Sequence, residues 1–160
     1  MEISKELAMT MATLMIIITV CALVNYIFVS LALYKIAKVE GDDKAWLAWV
    51  PIGNAYMLIK LGGGKMVFLA SFIAAMFLRG FLGTIAMAIF VIYGVYMYSN
   101  LCNKYDGSLI PIAIGSSALI VGIFPSLTGL TIPIYLIGLY GQWKLYRSVS
   151  KGTYKGKKRK

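Results

Sequence analysis

The chain has 160 residues, 60% of them hydrophobic and only 14% charged, with a mean hydropathy of +0.80. That is more apolar surface than one soluble core of this size buries, which excludes an ordinary soluble domain and points to a bilayer. Sixteen Lys and Arg against six Asp and Glu give a net charge of +10, but the basic residues fall between and after apolar runs, where membrane topology explains them and nucleic acid is the less favoured partner.

The first apolar run, Leu7 to Tyr34, holds 28 residues without a charge, and a helix needs about 20 to cross the hydrocarbon. One tilted span over 8–34 is expected. The acidic leader "MEISKE" and the length of the run argue against a cleaved signal peptide, and Val20 before Cys21 argues against a lipoprotein signal.

After the polar connector "KIAKVEGDDKAW" comes "WLAWVPIGNAY", residues 46–56. The uncharged stretch from Ala45 to Ile59 is only 15 residues long, too short for a span. Pro51 removes an amide donor and Gly53 loosens the backbone beyond it. Lipid cannot satisfy the freed backbone groups, so the break belongs at the water interface or packed within protein. Trp46, Trp49 and Tyr56 are residue types that favour the headgroup region. The segment 45–60 is therefore expected to lie in the interface, or to dip in and return. Asn54, with the carbonyls near Pro51, forms a candidate polar site at a broken helix, of the kind transporters use.

Beyond "LGGGK", the run from Met66 to Ser99 has 34 residues interrupted only by Arg79. As one helix it would be about 51 Å long against a ~30 Å core, so a hairpin turning near Arg79 is expected, with spans over 64–80 and 83–101. Arg79 is read as an interfacial anchor at a Gly-flanked turn, snorkelling as Lys65 does at the other side. From Leu109 to Trp143 no charge appears for 35 residues; "FPSLTG", residues 124–129, marks a second hairpin, with spans over 109–124 and 127–143 and Trp143 as an interface anchor. "VPI" at 50–52 and "IPI" at 110–112 and 132–134 read as helix starts, where proline is tolerated.

The charge distribution fixes the expected orientation. With five spans, Lys35, Lys38, Lys44, Lys60, Lys65, Lys104 and the eight basic residues from Lys144 onward share the cytoplasmic side, leaving only Lys5 and Arg79 outside. The expected fold is thus all-α: a polytopic integral membrane helical bundle of about five transmembrane helices plus an interfacial or re-entrant segment. It forms one transmembrane domain over 1–148, in a cell membrane, with the amino terminus outside and the carboxyl terminus cytoplasmic. Residues 149–160 form a disordered basic tail, in which Lys155, Lys157, Lys158, Arg159 and Lys160 are attracted to anionic inner-leaflet lipids.

Little in the sequence offers catalysis. Histidine is absent, Cys21 and Cys102 lie far apart, and every acid (Glu2, Glu6, Glu40, Asp42, Asp43, Asp106) falls in a terminus or loop. Acid–base and metal chemistry lack their usual groups, and neither an enzyme nor a cofactor is expected. Small residues four apart, such as Ala70 and Ala74 or Ala113 and Ser117, would let helices approach within the chain or between copies. The leading functional reading is an accessory or scaffold subunit that packs against itself or a larger membrane assembly. The alternatives are a holin-like, pore-forming protein and a transporter or solute-binding subunit built around Asn54.

"KAWLAWVPIGNAYMLIKLGGGK", followed by an apolar hairpin and "LCNKYDGSLIPIAIG", resembles small bacterial polytopic membrane proteins grouped as a domain of unknown function, some of which occur beside or fused to signal peptidases. The resemblance covers roughly residues 43–140 and rests on the Trp, Pro and Asn-x-Tyr cluster with the later Gly-containing polar turn. Where those proteins often carry a second Trp-rich turn, this chain has "FLRGFLG". The resemblance implies location and shape.

Overall fold

The computed structural model describes residues 2–78, 80–121 and 129–152. The described residues form six α-helices and contain no strand: α1 (Glu2–Val39), α2 (Pro51–Leu61), α3 (Leu69–Phe77), α4 (Gly80–Tyr105), α5 (Leu109–Val121) and α6 (Thr131–Ser150). Short 3₁₀ helices at Ala45–Trp49 and Met66–Phe68 lead into α2 and α3. Two helices, α1 and α4, are long and apolar enough to cross a membrane. The all-helical expectation therefore holds, together with membrane-compatible helices at these two positions.

Helix α1 continues well past the expected end at residue 34. Lys35 and Lys38 are good helix formers whose long stems keep the charge at the surface, and the helix stops only where Gly41 turns the chain with φ +77°. Its 38 residues span about 57 Å. The carboxyl ends of α1, α4 and α6 and the start of α5 meet at one end of the bundle. There Lys104 Nζ lies 2.7 Å from Glu40 Oε1 and the Tyr105 hydroxyl donates to the same oxygen at 2.6 Å. Lys144 Nζ donates to Ser108 Oγ. Beneath these contacts sits the core, with Leu33, Ile36, Met57, Met97, Leu101, Tyr105, Ile112 and Leu145 all fully buried.

The other pairings are antiparallel. Phe68 stacks on Tyr93 with ring centroids 3.6 Å apart and Phe72 meets Phe90 at 4.7 Å, so α3 runs back along α4. Helix α4 begins at Gly80, where φ is +67°, three residues before the expected 83, and continues to Tyr105. The α3 arm with its 3₁₀ lead has 12 residues, Met66–Phe77, or about 18 Å, short of the ~30 Å hydrocarbon. Helix α5 returns as α6 at a backbone distance set by glycine: a Cβ on Gly115 would lie 2.3 Å from Gly138 Cα. Helix α6 extends to Ser150 with Val149 buried, so the first two residues of the expected tail are helical, because Val149 packs in the core. Pro51 is the first residue of α2, and Pro111 and Pro133 are the third residues of α5 and α6. All three sit in first turns, where amides have no intrahelical acceptor to lose. The expected turn at 124–129 falls, save Gly129, outside the described residues, as do Arg79 and Lys155, Lys157, Lys158, Arg159 and Lys160 of the tail.

Candidate functional site: a returning hairpin and the cavity it closes

The segment between α1 and α3 is a hairpin that leaves the charged end of the bundle and comes back to it. Its outward limb is the 3₁₀ helix Ala45–Trp49. Its tip is Val50, extended at φ −101°, ψ 132°, because a residue before proline is driven out of the α region. Its return limb is α2. At the feet, Lys60 Nζ lies 2.6 Å from Asp42 Oδ2, and the Lys44 amide donates to Asp42 Oδ1 at 3.0 Å. The Lys60 ammonium and, after it, the Lys44 amide hold the Asp42 carboxyl below its ordinary range. At the tip, the Tyr26 hydroxyl donates to the Trp49 carbonyl at 2.9 Å. Tyr26 precedes the end of α1 by 13 residues, so the tip reaches about 20 Å along the bundle from its charged end.

Two residues lock the limbs together. A Cβ on Gly53 would fall 2.4 Å from the Leu47 carbonyl oxygen, so the limbs touch backbone to backbone only because position 53 lacks a side chain. Asn54 Nδ2 donates to the Ala48 carbonyl at 2.9 Å and to Ser30 Oγ at 3.2 Å. Its donor capacity is spent satisfying the end of the 3₁₀ limb and tying it to α1.

The three tryptophans named from sequence as anchors are exposed. Trp46 is 59% exposed and Trp49 43%, while Ala45 and Ala48 on the opposite face are buried. Tyr56 is half-buried with Lys60 Nζ 6.0 Å from its ring centre. Trp143 is exposed under the Arg147 guanidinium, 5.0 Å from its ring centre. Pro51 and Asn54 face the other way, into a cavity of about 330 Å³.

All six helices contribute to that cavity. Phe72 and Phe90 wall one part of it; Tyr98 and Gln142 lie further toward the charged end, with Asn25, Asn54 and Ser116 between. Most of its polar groups are engaged in the protein. Asn25 Nδ2 donates to the Tyr135 carbonyl at 3.2 Å, Ser116 Oγ to the Ile112 carbonyl at 2.9 Å, and the Gln142 amide neighbours the Tyr98 hydroxyl. One group stands apart: Gln142 is 4% exposed, and its Oε1 is the buried side-chain oxygen without a hydrogen-bond partner among the described residues. Among the described residues, no charged side chain lines the cavity, and no cluster of three or more His, Cys, Asp or Glu forms. The chemistry on offer is apolar contact with neutral amides and hydroxyls.

Sequence reasoning singled out Pro51 and Asn54 and missed Gln142, Ser30 and the Gly115–Gly138 contact. The available signal was that Gly138, Gly141 and Gln142 share one face of α6 at spacings of three and four, while Asn25 is the lone amide in the first apolar run. The chain was compared with family models, curated proteins and solved structures, and none matches.

Proposed function

We propose that this chain is a multi-pass integral membrane protein acting as a non-catalytic accessory subunit of a larger membrane assembly. In this reading α1, α4 and α6 cross the bilayer, and the shorter arms α3 and α5 complete their crossings through the residues that flank them and by local thinning of the bilayer. The amino terminus lies outside and the carboxyl terminus in the cytoplasm, and the hairpin over 42–61 is re-entrant from the cytoplasmic side. The carrying observation is the amino-terminal part of α1. Leu7, Met9, Met15, Ile16 and Val20 are each more than half exposed, and no residue in the most apolar stretch of this helix is fully buried by the rest of the chain. An apolar surface of that extent requires lipid or another protein. The charged end supports the orientation, since Lys38, Lys44, Lys60, Lys104, Lys144 and Arg147 all lie on elements that meet there.

The test is site-specific photocrosslinking from Met15 and Val20 in native membranes. Discrete protein adducts at both positions, absent from a probe at buried Leu33, are expected. Adducts to lipid alone would remove the subunit reading. A second reading, a solute-binding membrane subunit, is favoured by the central cavity and its unpartnered Gln142 oxygen.

A further inference from the structure

We infer that the central cavity binds an uncharged amphiphile: a molecule with an apolar body, packed against the Phe72–Phe90 ring pair, and a hydrogen-bond-donating head, a hydroxyl or N–H, directed at Gln142 Oε1. The inference deepens the solute-binding reading and rests on it.

The volume, about 330 Å³, falls at the lower end of ligand pockets and far exceeds what one buried water needs. The wall is graded. Phe90 and Tyr98 on α4 are eight residues apart, about 12 Å, so the apolar part and the amide-bearing part lie at different depths of one elongated space. Charge is excluded by composition, since an ion here would give up its hydration for neutral partners. The head must be a donor because of how the amides are committed. Asn25 and Asn54 direct their N–H groups into protein carbonyls and Ser30, whereas the Gln142 oxygen has no partner among the described residues. It is covered as the side chain stands and comes within a ligand's reach when the amide turns toward the cavity that Gln142 lines, and an acceptor buried without a partner is costly until something donates to it. Space is kept open by residues that lack side chains. Gly94 lines the cavity, and a Cβ there would meet nothing closer than Leu58 Cδ2 at 3.7 Å.

That last point supplies the test. The full chain in lipid nanodiscs is titrated with 2-naphthol, which has an apolar body and one hydroxyl donor, and with its methyl ether, which has the same body and no donor; empty nanodiscs give the partition background. Saturable 2-naphthol binding above that background is expected. Gly94→Leu should abolish it by filling the space, and Gln142→Leu should weaken it about three- to tenfold, the worth of one neutral hydrogen bond. The ether should bind more weakly and be indifferent to Gln142→Leu. Circular dichroism and thermal melting of each variant identify any that fail to fold, and Gly94→Ala, which fits in ordinary contact, provides a partial filling that keeps the test alive if the leucine does not. No saturable binding of 2-naphthol, or binding unchanged by Gly94→Leu in a folded protein, overturns the proposal, as does equal loss of naphthol and ether on Gln142→Leu. A hydroxylated neutral lipid retained by protein extracted from native membranes would support the site with a bilayer source; an empty extract that still binds 2-naphthol would support it with an aqueous one. The photocrosslinking from α1 is independent of this binding, so failure of one leaves the other readable.

Discussion

Substituting alanine for Gly115 tests the packing on which the whole bundle depends. The added Cβ would lie 2.3 Å from Gly138 Cα and 3.1 Å from its nitrogen, whereas carbon atoms in good contact sit about 3.5–4.0 Å apart. Both clashing atoms are backbone, so no rotamer change relieves them, and α5 and α6 must move apart by about 1.2–1.7 Å. Overpacking of this kind costs about 1–3 kcal/mol. Alanine also favours a helix over glycine by about 0.8–1.0 kcal/mol, which partly hides the cost. Gly94→Ala isolates that gain, because its Cβ would meet only Leu58 Cδ2 at 3.7 Å. In reversible unfolding by SDS titration in mixed micelles, followed by circular dichroism, Gly115→Ala should fall below Gly94→Ala by about 1–3 kcal/mol, a factor of roughly 5–150 in the folding equilibrium. Equal stability of the two variants would refute the direct contact of α5 with α6 at these glycines.

Asn54→Ala should destabilise the protein by about 1–3 kcal/mol in the same titration, since the Ala48 carbonyl and Ser30 hydroxyl lose their shared donor; an unchanged midpoint would mean that the hairpin is not tied to α1 there. The Asp42 carboxyl, held below its ordinary range, stabilises the feet of the hairpin above the unfolded pKa of about 4 and ceases to do so as pH falls through its lower folded value. Thiol labelling of a single cysteine placed at Trp49, in a background lacking Cys21 and Cys102, should therefore accelerate only in strongly acidic buffer, and Asp42→Asn should show the faster rate at neutral pH; a pH-independent rate in both proteins would sink this. Single cysteines at Asp43 and Asn103 should react with an impermeant maleimide only after the cells are permeabilised, whereas a cysteine at Lys5 should react in intact cells. Tightly induced expression should leave the membrane potential steady on a potential-sensitive dye; rapid depolarisation would favour the pore-forming alternative.

The features that composition and run length determine were legible. Helical class, the apolar stretches that became α1 and α4, the three proline-marked helix starts and the broken segment around Pro51 all follow from local chemistry. The direction of the hairpin was not. Whether 45–60 lies flat or returns depends on the Asp42–Lys60 pair and on Tyr26 meeting Trp49, contacts across 18 and 23 residues that no local pattern encodes. Asn54 was recognised as special, yet its amide serves the hairpin's own backbone, and the unpartnered acceptor sits on Gln142, 88 residues later. That displacement is invisible in sequence because both amides look alike until the partners of each are known. The helix ends shifted for a simpler reason: lysines that close an apolar run do not close a helix.

The pairing of the first helix with the last sets the order in which the molecule can be made. Helix α6 runs beside α1 and receives the Asn25 amide on its Tyr135 carbonyl, so that amide has no such partner until residues 131–150 have left the ribosome. If the chain is the membrane protein proposed above, α1 must wait in the bilayer through most of synthesis with a polar group uncovered, and chains elongate at only about 5–20 residues per second. For those seconds the nascent protein presents an unmated face to every other helix in the membrane, and synthesis halted before α6 leaves that face open for good.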